Sequence, residues 1–421
     1  MRGYLSSLDP RLSRDVYVLE AGVLLNSFGN GVVLPFLVIY LHNVRGLSLG
    51  VAGLAIATQS VAGLASAFVG GTLSDRVGPK RVLIAALCVM TVAFALMPLI
   101  REAWQAFAVY ALWGVGSGSF WPAGSSLLAA LAPPARRAAA YGMQRLAMNL
   151  GVALGGVVGG LIASVSRPST FTILFALDCV TFLAYALVLS RLRVPPLHAG
   201  RARGSWVAVA RDRTFVSVTA LNAVFMAATM ALMVELLPAF AKNVAGVSER
   251  EIGVIFALES LGIVLFQLPV AKVVEGRRRM RTLALMGLVW SASLLAVGAG
   301  GAWTAATAAA VVFAAAGIGF SLGECLHATV HGPLSADLAP PQLVGRYLAL
   351  SSISWQAGWI VGPALGGFFL QHAPLLLWPA AAGVNLVCAG WALALERRLP
   401  RHVRLTPGRI EPEGFGAGAA G

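Results

Sequence analysis

Four carboxylates lie within long apolar stretches of the chain, where an ionisable side chain is costly and therefore usually has a function. They are Asp178, Glu235, Glu259 and Glu324. Because a carboxylate that leaves water binds a proton more readily, these positions are suited to taking up and releasing protons. Asp178, Glu259 and Glu324 are the leading candidates for this chemistry. A structural ion pair is the alternative role for Asp178 and Glu259.

Three further charged groups bear on the same chemistry. Glu235 lies beside Pro238, near the end of its apolar stretch, so a solvated rim and contact with a bound molecule both remain open. Glu20 is close to the start of the first stretch and is expected to be interfacial. Arg145 is a cation within the fifth stretch, and its long side chain is expected to reach toward Asp178 and to take part in proton coupling.

Glu324, His327 and His331 are spaced i, i+3 and i+7, which places them on one face of a helix. Histidine titrates near neutral pH, so this face fits a proton relay. A water-exposed vestibule would also explain it. Coupling or gating by Glu324 is the favoured role, and no metal site is predicted because no second cluster of ligands accompanies these residues.

Aromatic and amide side chains in three other apolar stretches could surround an organic molecule. Such a wall suits lipophilic and often cationic compounds, partly through cation–π contact. Each Trp could equally face lipid. The candidates for substrate binding are Asn26 and Asn30, then Tyr110, Trp113, Phe120 and Trp121 with Ser117 beside them, and Trp355, Gln356 and Trp359.

The composition indicates whether these residues are positioned in a soluble domain or within a membrane. The chain has 421 residues, of which 58% are hydrophobic and 11% are charged, whereas soluble domains carry about 25% charge. Apolar runs of about 20 residues indicate membrane-spanning helices rather than a barrel. We predict an all-α membrane protein with spans near 16–41, 48–73, 82–100, 104–131, 138–164, 170–190, 214–239, 251–274, 282–300, 304–330, 346–371 and 375–395.

The distribution of Lys and Arg predicts the orientation. Most of them lie in the loops on one side of the predicted spans, so both termini are expected to be cytoplasmic and the protein to reside in the plasma or inner membrane. The net charge of +14 therefore reflects topology, and no nucleic-acid partner is predicted. Residues 1–190 and 214–396 are the predicted six-helix halves, 191–213 is a linker with a short interfacial helix from Ser205 to Arg213, and 397–421 is a tail expected to be disordered.

A glycine pattern repeats between the two halves. The fifth stretch contains Gly151, Gly155, Gly156, Gly159 and Gly160, and the eleventh contains Gly358, Gly362, Pro363, Gly366 and Gly367 at matching spacing. Glycine rows of this kind allow helices to pack closely. A duplicated six-helix unit is typical of alternating-access carriers, whose substrate site lies between the halves.

The loop after the second stretch supplies the most specific pattern. It reads Gly-Thr-Leu-Ser-Asp-Arg-Val-Gly-Pro-Lys-Arg and includes Gly71, Asp75, Arg76, Gly78, Lys80 and Arg81. Its glycines permit close approach or positive φ, and the aspartate can accept from helix N-terminal amides or a nearby Arg. A basic turn that merely obeys topology is the alternative interpretation.

This loop, together with the six-plus-six layout, resembles the major facilitator superfamily over about residues 14–396. The glycines of the fifth stretch, preceded by Gly142, are similar to the antiporter motif of the drug:proton antiporter branch, with Gly156 where that motif has proline. The fourth stretch lacks the Arg of the branch, since Tyr110 precedes Trp113 and Gly114 there. Arg145 could supply a cation instead.

The resemblance implies a transporter that works as a monomer, needs no cofactor and exports small organic molecules against an inward flow of protons. The alternatives are a proton-coupled carrier of sugars, amino acids or other metabolites and, more distantly, a lipid-handling membrane protein. No nucleophile–base pair or metal constellation is present, so an enzyme is not expected. No Gly-x4-Gly-Lys-Ser/Thr loop is present, so ATP is not the expected energy source.

Overall fold

The structure is a computed structural model that describes residues 12–132, 136–192, 206–302, 305–340 and 343–406. Within these residues the chain is helical and forms no β-strand. Six long helices make the first half: α1 (Arg14–Val44), α2 (Leu49–Val77), α3 (Pro79–Leu99), α4 (Ala103–Leu131), α5 (Arg137–Ile162) and α6 (Ser169–Arg191). Six make the second: α7 (Arg213–Asn243), α8 (Glu249–Val274), α9 (Arg279–Gly301), α10 (Ala306–Asp337), α11 (Val344–His372) and α12 (Pro374–Leu395).

The predicted spans match these helices closely. Ten of the described helices are both long enough and apolar enough to cross a membrane. The other two, α4 and α11, contain 29 residues each and are also long enough to span. Glycine, serine and glutamine dilute the hydrophobicity of both helices, and both contribute to the central cavity described below. The largest difference from the sequence prediction is α10, which continues to Asp337.

Local sequence explains where several helices begin and end. The side chain of Ser13 caps α1, and Ser248 and Glu251 form a capping box at the start of α8. Gly78, at φ +90°, ends α2 and allows Pro79 to open α3, since only glycine adopts that conformation without strain.

The helices α1 and α7 both lose regular geometry in their second halves. A 3-10 turn at Leu34–Phe36 and a π turn at Tyr40–Val44 interrupt α1, whereas two π turns, Met226–Met230 and Leu232–Leu236, interrupt α7. Pro35 lies in the 3-10 turn of α1, and Pro238 lies just after the second π turn of α7. Neither can donate the backbone hydrogen bond of a regular helix. Irregular helices of this kind often occur at functional sites.

The two halves meet through two equivalent pairs of helices, α5 with α8 and α2 with α11. A Cβ atom on Gly160 would lie 2.9 Å from the carbonyl oxygen of Glu249, and one on Gly367 would lie 2.7 Å from the carbonyl oxygen of Leu49. Glycine is therefore required at both crossings, which is the close helix packing expected from the repeated glycine rows.

The helix ends define two faces of the bundle. The terminal face is the one at which α1 begins and α12 ends, and the opposite face is the one at which α1 ends and α12 begins. A short linker helix (Trp206–Arg211) lies at the terminal face, and residues 193–205 of the predicted linker lie outside the described residues. Ordered structure continues after α12 to Thr406, and residues 407–421 of the predicted tail lie outside the described residues.

Candidate functional site

A cavity of about 810 Å³ lies between the two halves. It is bounded by α1, α2 and α4 of the first half, with Met90 of α3, and by α7 and α11 of the second. The polar and aromatic part of its wall consists of Asn26, Asn30, Gln59, Ser60, Phe68, Trp113, Ser117, Phe120, Trp121, Ser125, Glu235, Ser352, Trp355, Gln356 and Trp359. Its size and mixed lining are those of a small-molecule site.

Eight of the nine substrate-binding candidates are in this wall: Asn26, Asn30, Trp113, Phe120, Trp121, Trp355, Gln356 and Trp359. The exception is Tyr110, which does not line the cavity. Its side chain is fully buried, and its ring packs edge-on against that of Trp113 with the centroids 5.6 Å apart. Tyr110 therefore supports the wall from behind.

The second helix contributes residues that the sequence analysis did not single out. Gln59 donates from Nε2 to the hydroxyl of Ser117 at 2.8 Å, and Ser60 and Phe68 line the same wall. Gln59 is an amide in the middle of a long apolar stretch, and that feature would have identified it as a candidate for substrate binding.

Glu235 is the one carboxylate in the described wall of the cavity. It lies in the irregular part of α7, and its Oε2 atom is buried and accepts no hydrogen bond from the described residues. Only 7% of the residue is exposed, so it faces the cavity rather than a solvated rim. A cation in the cavity would supply the charge partner that this carboxylate otherwise lacks.

The cavity extends from the middle of the bundle to the terminal face. The lining residues of α2 run from Gln59 to Phe68, toward the end of that helix, and those of α11 start near its beginning at Ala349. Phe68 and Trp121 are more than half exposed. The structure is therefore open on the terminal face.

Direct contacts between the halves close the opposite face. Asn43 of α1 donates to Asn243 of α7 at 2.6 Å, and the backbone amide of Gly50 donates to the side chain of Gln371 at 3.0 Å. Glu249 accepts a hydrogen bond from the backbone amide of Val165 in the first half, at 3.0 Å.

Asp178 is buried away from the cavity, between α6 and α1. Its Oδ1 atom accepts a hydrogen bond from the hydroxyl of Thr181 at 3.1 Å, and its Oδ2 atom has no donor among the described residues. A Cβ atom on Gly29 would clash with both side chains, so α1 packs directly over the carboxylate. Glu20, also on α1, is only 3% exposed, so other parts of the protein cover it.

Arg145 does not reach Asp178, contrary to the sequence prediction. Its Nη2 atom lies 3.1 Å from Oε1 of Glu324, across the boundary between the halves. The carboxylate in the second half was the available partner because α5 packs against α1 with its glycine face, which turns Arg145 toward the second half. Glu259, on α8, is buried and its Oε2 atom accepts no hydrogen bond from the described residues.

The two histidines belong to a buried polar network in the second half. His327 is hydrogen-bonded to Asn222 at 2.6 Å, and Asn222 donates to Ser354 at 2.8 Å. His331 is hydrogen-bonded to Ser351 at 3.0 Å. Both histidines are nearly fully buried, so the water-exposed vestibule was a wrong explanation for them.

This network reaches the cavity wall through an aromatic contact. The rings of His327 and His331 stack at 4.9 Å, and the ring of Trp355 meets His327 edge-on at 5.3 Å. The histidines thus help to position a cavity residue.

The loop between α2 and α3 fixes the end of α6. Lys80 donates from Nζ to the carbonyl oxygens of Ser190 and Leu192, at 2.8 and 2.7 Å. Arg76 and Arg81 are exposed, and no atom lies within 4 Å of a Cβ placed on Gly71. The side chain of Asp75, for which a capping role was predicted, lies outside the described part of the structure.

The predicted glycine row of α5 has two packing faces. Gly151, Gly155 and Gly159 lie against α1 within the first half, whereas Gly156 and Gly160 lie against α8 of the second half. The row in α11 divides in the same way, with Gly358, Gly362 and Gly366 against α7 and with Pro363 and Gly367 against α2. Gly142 lies at the start of α5, and a Cβ atom on it would have no neighbour within 4 Å.

Comparisons with known proteins agree with this architecture. The family profile described as Major Facilitator Superfamily matches residues 19–322 and 219–417. The multidrug resistance protein MdtH of Cronobacter sakazakii is 26% identical over 97% of this chain and 100% of its own length. The uncharacterized MFS-type transporter YhjO of Bacillus subtilis is 25% identical over 94% of this chain and 98% of its own length.

Solved structures show the same fold. A peptide transporter POT in complex with sulfate superposes with a TM-score of 0.77 at 17% identity, covering 93% of this chain and 96% of its own. A D-xylose-proton symporter superposes with a TM-score of 0.74 at 17% identity, covering 93% of this chain and 98% of its own.

Proposed function

Because the chain belongs to the major facilitator superfamily and is a transporter rather than an enzyme, we propose that it exports small lipophilic molecules, cationic ones in particular, in exchange for protons. The observation that carries this proposal is the cavity between the halves, with its tryptophans, its amides and the single carboxylate Glu235. A lipophilic cation gains apolar and cation–π contacts there together with a charge partner. The multidrug resistance names of relatives such as MdtH support the same substrate class.

The open face and the proposed topology support export as the direction of transport. The distribution of Lys and Arg favours a cytoplasmic terminal face in the plasma or inner membrane. The cavity then faces the cytoplasm, from which an exporter collects its substrate. Closing the terminal face and opening the opposite one would release that substrate outside, and one polypeptide suffices for this cycle because both halves are in the same chain.

Proton coupling is assigned to carboxylates outside the cavity wall. Asp178, Glu259 and Glu324 are buried or nearly so, and the first two each have a carboxylate oxygen without a donor in the described residues. An unpaired carboxylate in an apolar interior is costly as an ion, and proton binding removes that cost. Arg145 modulates Glu324 directly, through their ion pair.

The test uses inside-out vesicles with an acidic interior that is reported by a pH-sensitive dye. Lipophilic cations and neutral antibiotics are added one at a time, to vesicles with and without the protein. A compound that collapses the gradient only when the protein is present supports the proposal. If no compound in the panel does so, proton-coupled drug export is excluded for that panel, and metabolite transport becomes the hypothesis to test.

A further inference from the structure

A second, smaller cavity lies at the terminal face, where α9 begins and α12 ends. Its volume is about 270 Å³, and its wall consists of Arg278, Arg281, Leu393, Glu396, Arg397 and Arg404. Four of these six residues are arginines and one is a carboxylate, so the wall has an excess of positive charge. Such a wall favours an anion.

The carboxylate in this wall cannot neutralise the arginines around it. Glu396 accepts from Nη1 of Arg278 at 2.6 Å and from Nε of Arg281 at 3.3 Å. The Glu396 side chain is only 10% exposed, whereas the side chains of Arg278 and Arg281 are 50% and 66% exposed. Because each guanidinium has five N–H donors, both arginines retain donors that face outward.

The other two arginines have no acidic partner in the part of the chain that the structure describes. Arg404 donates from Nε to the carbonyl oxygen of Leu399 at 2.8 Å and from Nη2 to that of Arg397 at 3.1 Å. These bonds are to neutral groups, so the charge of Arg404 is not compensated. The ion pairs of the described residues do not include Arg397 or Arg404.

The wall of the cavity is held in place by the segment after α12. The backbone amide of Arg279 donates to the carbonyl oxygen of Arg404 at 2.9 Å, and the amide of Thr406 donates to that of Arg277 at 2.9 Å. Arg278 and Leu405 form an isolated antiparallel bridge. These contacts pin the segment against the loop between α8 and α9, so the arginines surround a fixed space. A basic loop that served only to set the orientation in the membrane would not need these hydrogen bonds.

Apolar side chains continue from the cavity along the outer surface of the bundle, away from the terminal face. Leu285 follows Arg281 by four residues on α9 and so lies on the same helical face. Leu393, in the last turn of α12, precedes by three residues Glu396, which caps that helix, and lies on the same side as its carboxylate. Leu285 and Leu393 are 48% and 49% exposed on the outer surface of the bundle. A ligand with an anionic head and an apolar tail would match both parts of this surface.

We propose that this cavity binds the phosphate of an anionic phospholipid, with the acyl chains along Leu285 and Leu393. Guanidinium groups match phosphate oxygens in charge and geometry, and basic pockets between membrane helices bind lipid head groups. Free phosphate shares the head-group chemistry but gains nothing from the two leucines, so the lipid is the expected source. This inference does not depend on what the central cavity transports.

The test measures binding to the purified full chain in detergent. Phosphatidylglycerol, phosphatidylcholine with the same acyl chains, and inorganic phosphate are titrated separately, with thermal melting and native mass spectrometry as readouts. We expect saturable binding of phosphatidylglycerol, at least tenfold weaker binding of phosphatidylcholine, and no displacement by millimolar phosphate. Equal binding of the two lipids, or binding of phosphate in place of phosphatidylglycerol, overturns the proposal.

Variants of the wall then locate the site. Arg281→Gln combined with Arg397→Gln should weaken phosphatidylglycerol binding about 25-fold, since each basic residue strengthens binding to anionic lipid roughly fivefold. Arg211→Gln combined with Arg213→Gln removes the same charge from exposed positions at the terminal face and should leave binding unchanged. Equal losses in the two double variants overturn the proposal.

Glu396→Gln provides a test that poor folding cannot imitate. It removes the carboxylate that competes for Arg278 and Arg281, so phosphatidylglycerol should bind more tightly, by about fivefold. Weaker or unchanged binding in a variant that melts within a few degrees of the unmodified protein contradicts the assignment.

Discussion

The guanidinium of Arg145 and the carboxylate of Glu324 form an ion pair across the boundary between the two halves, with 3.1 Å between Nη2 and Oε1. Arg145 belongs to the first half and Glu324 to the second. Their contact connects α5 with α10 on the terminal side of the glycine crossings at Gly156 and Gly160. The pair is formed in the arrangement in which the opposite face is closed, so its removal takes a stabilising contact away from that arrangement.

Arg145→Gln and Glu324→Gln should each shift the protein toward the state that is open on the opposite face. The pair is 37% and 15% exposed, so its loss should cost about 1–3 kcal/mol, between the values for exposed and buried pairs. The ratio of the state open on the opposite face to the state open on the terminal face should then rise at least fivefold. The measurement is the accessibility of a single cysteine introduced at Asn43, beside the contact with Asn243.

The exchanged pair, Arg145→Glu with Glu324→Arg, is the control for this prediction. It retains the attraction between the halves and should recover much of the original accessibility. If all three variants label at the same rate as the parent cysteine protein, the ion pair does not bias the conformation.

Gly253→Ala should loosen the seal on the opposite face. A Cβ atom there would clash with the carbonyl oxygen of Gly156 and lie 2.8 Å from the Cα atom of Gly160. Backbone atoms cannot move aside easily, so we expect a cost of about 1–3 kcal/mol and a transport rate reduced at least fivefold.

Gly142→Ala is the matched control for this substitution, because no atom lies within 4 Å of its Cβ position. It should be neutral or stabilise the protein by up to about 1 kcal/mol, since alanine is the better helix former. Melting temperature and transport rate are measured on both variants, and only Gly253→Ala should lower them. Equal effects would show that the crossing tolerates a methyl group.

Glu235→Gln should change substrate preference rather than abolish binding. The carboxylate is the single acid in the described cavity wall, so a lipophilic cation should bind about tenfold more weakly, while a neutral compound of similar shape should bind as before. Quenching of tryptophan fluorescence by each compound measures this. Gln356→Glu is the reciprocal variant and should favour cations. Equal losses for the cation and the neutral compound would contradict a charge-pairing role for Glu235.

Asp178→Asn and Glu259→Gln should uncouple transport from protons while leaving substrate exchange intact. Both residues are buried outside the cavity wall, so the binding site is retained. Uphill accumulation should be lost in at least one variant, whereas exchange of labelled for unlabelled substrate should continue. Glu275→Gln, at an exposed position beyond the end of α8, is the control and should behave as the parent. Normal accumulation in both variants would remove Asp178 and Glu259 from the coupling pathway.

The sequence allowed the helices and much of the cavity to be predicted because both depend on local patterns. Long apolar runs specify spans, and Trp113, Phe120 and Trp121 recur at helical spacing on α4. The contacts of long side chains depend on how helices rotate against one another, which the sequence of one helix does not contain. Arg145 was therefore assigned to Asp178 although it meets Glu324.

Burial of polar residues was also difficult to predict. Glu20 and the two histidines lie near helix regions that were expected to meet water, yet packing between α1 and α6 and among α7, α10 and α11 covers them. The partners of His327 and His331 are Asn222 and Ser351, which are far apart in the sequence. Only the assembled half brings these groups together.

The most direct test of proton-driven export is uptake of a fluorescent lipophilic cation by inside-out proteoliposomes, with and without an imposed pH gradient. With an acidic interior, the dye should accumulate above its equilibrium level, and a protonophore should abolish the excess. Without the gradient, the dye should only equilibrate. Accumulation that is the same in both conditions, or absent in both while the dye still binds to the purified protein, would contradict proton-driven export.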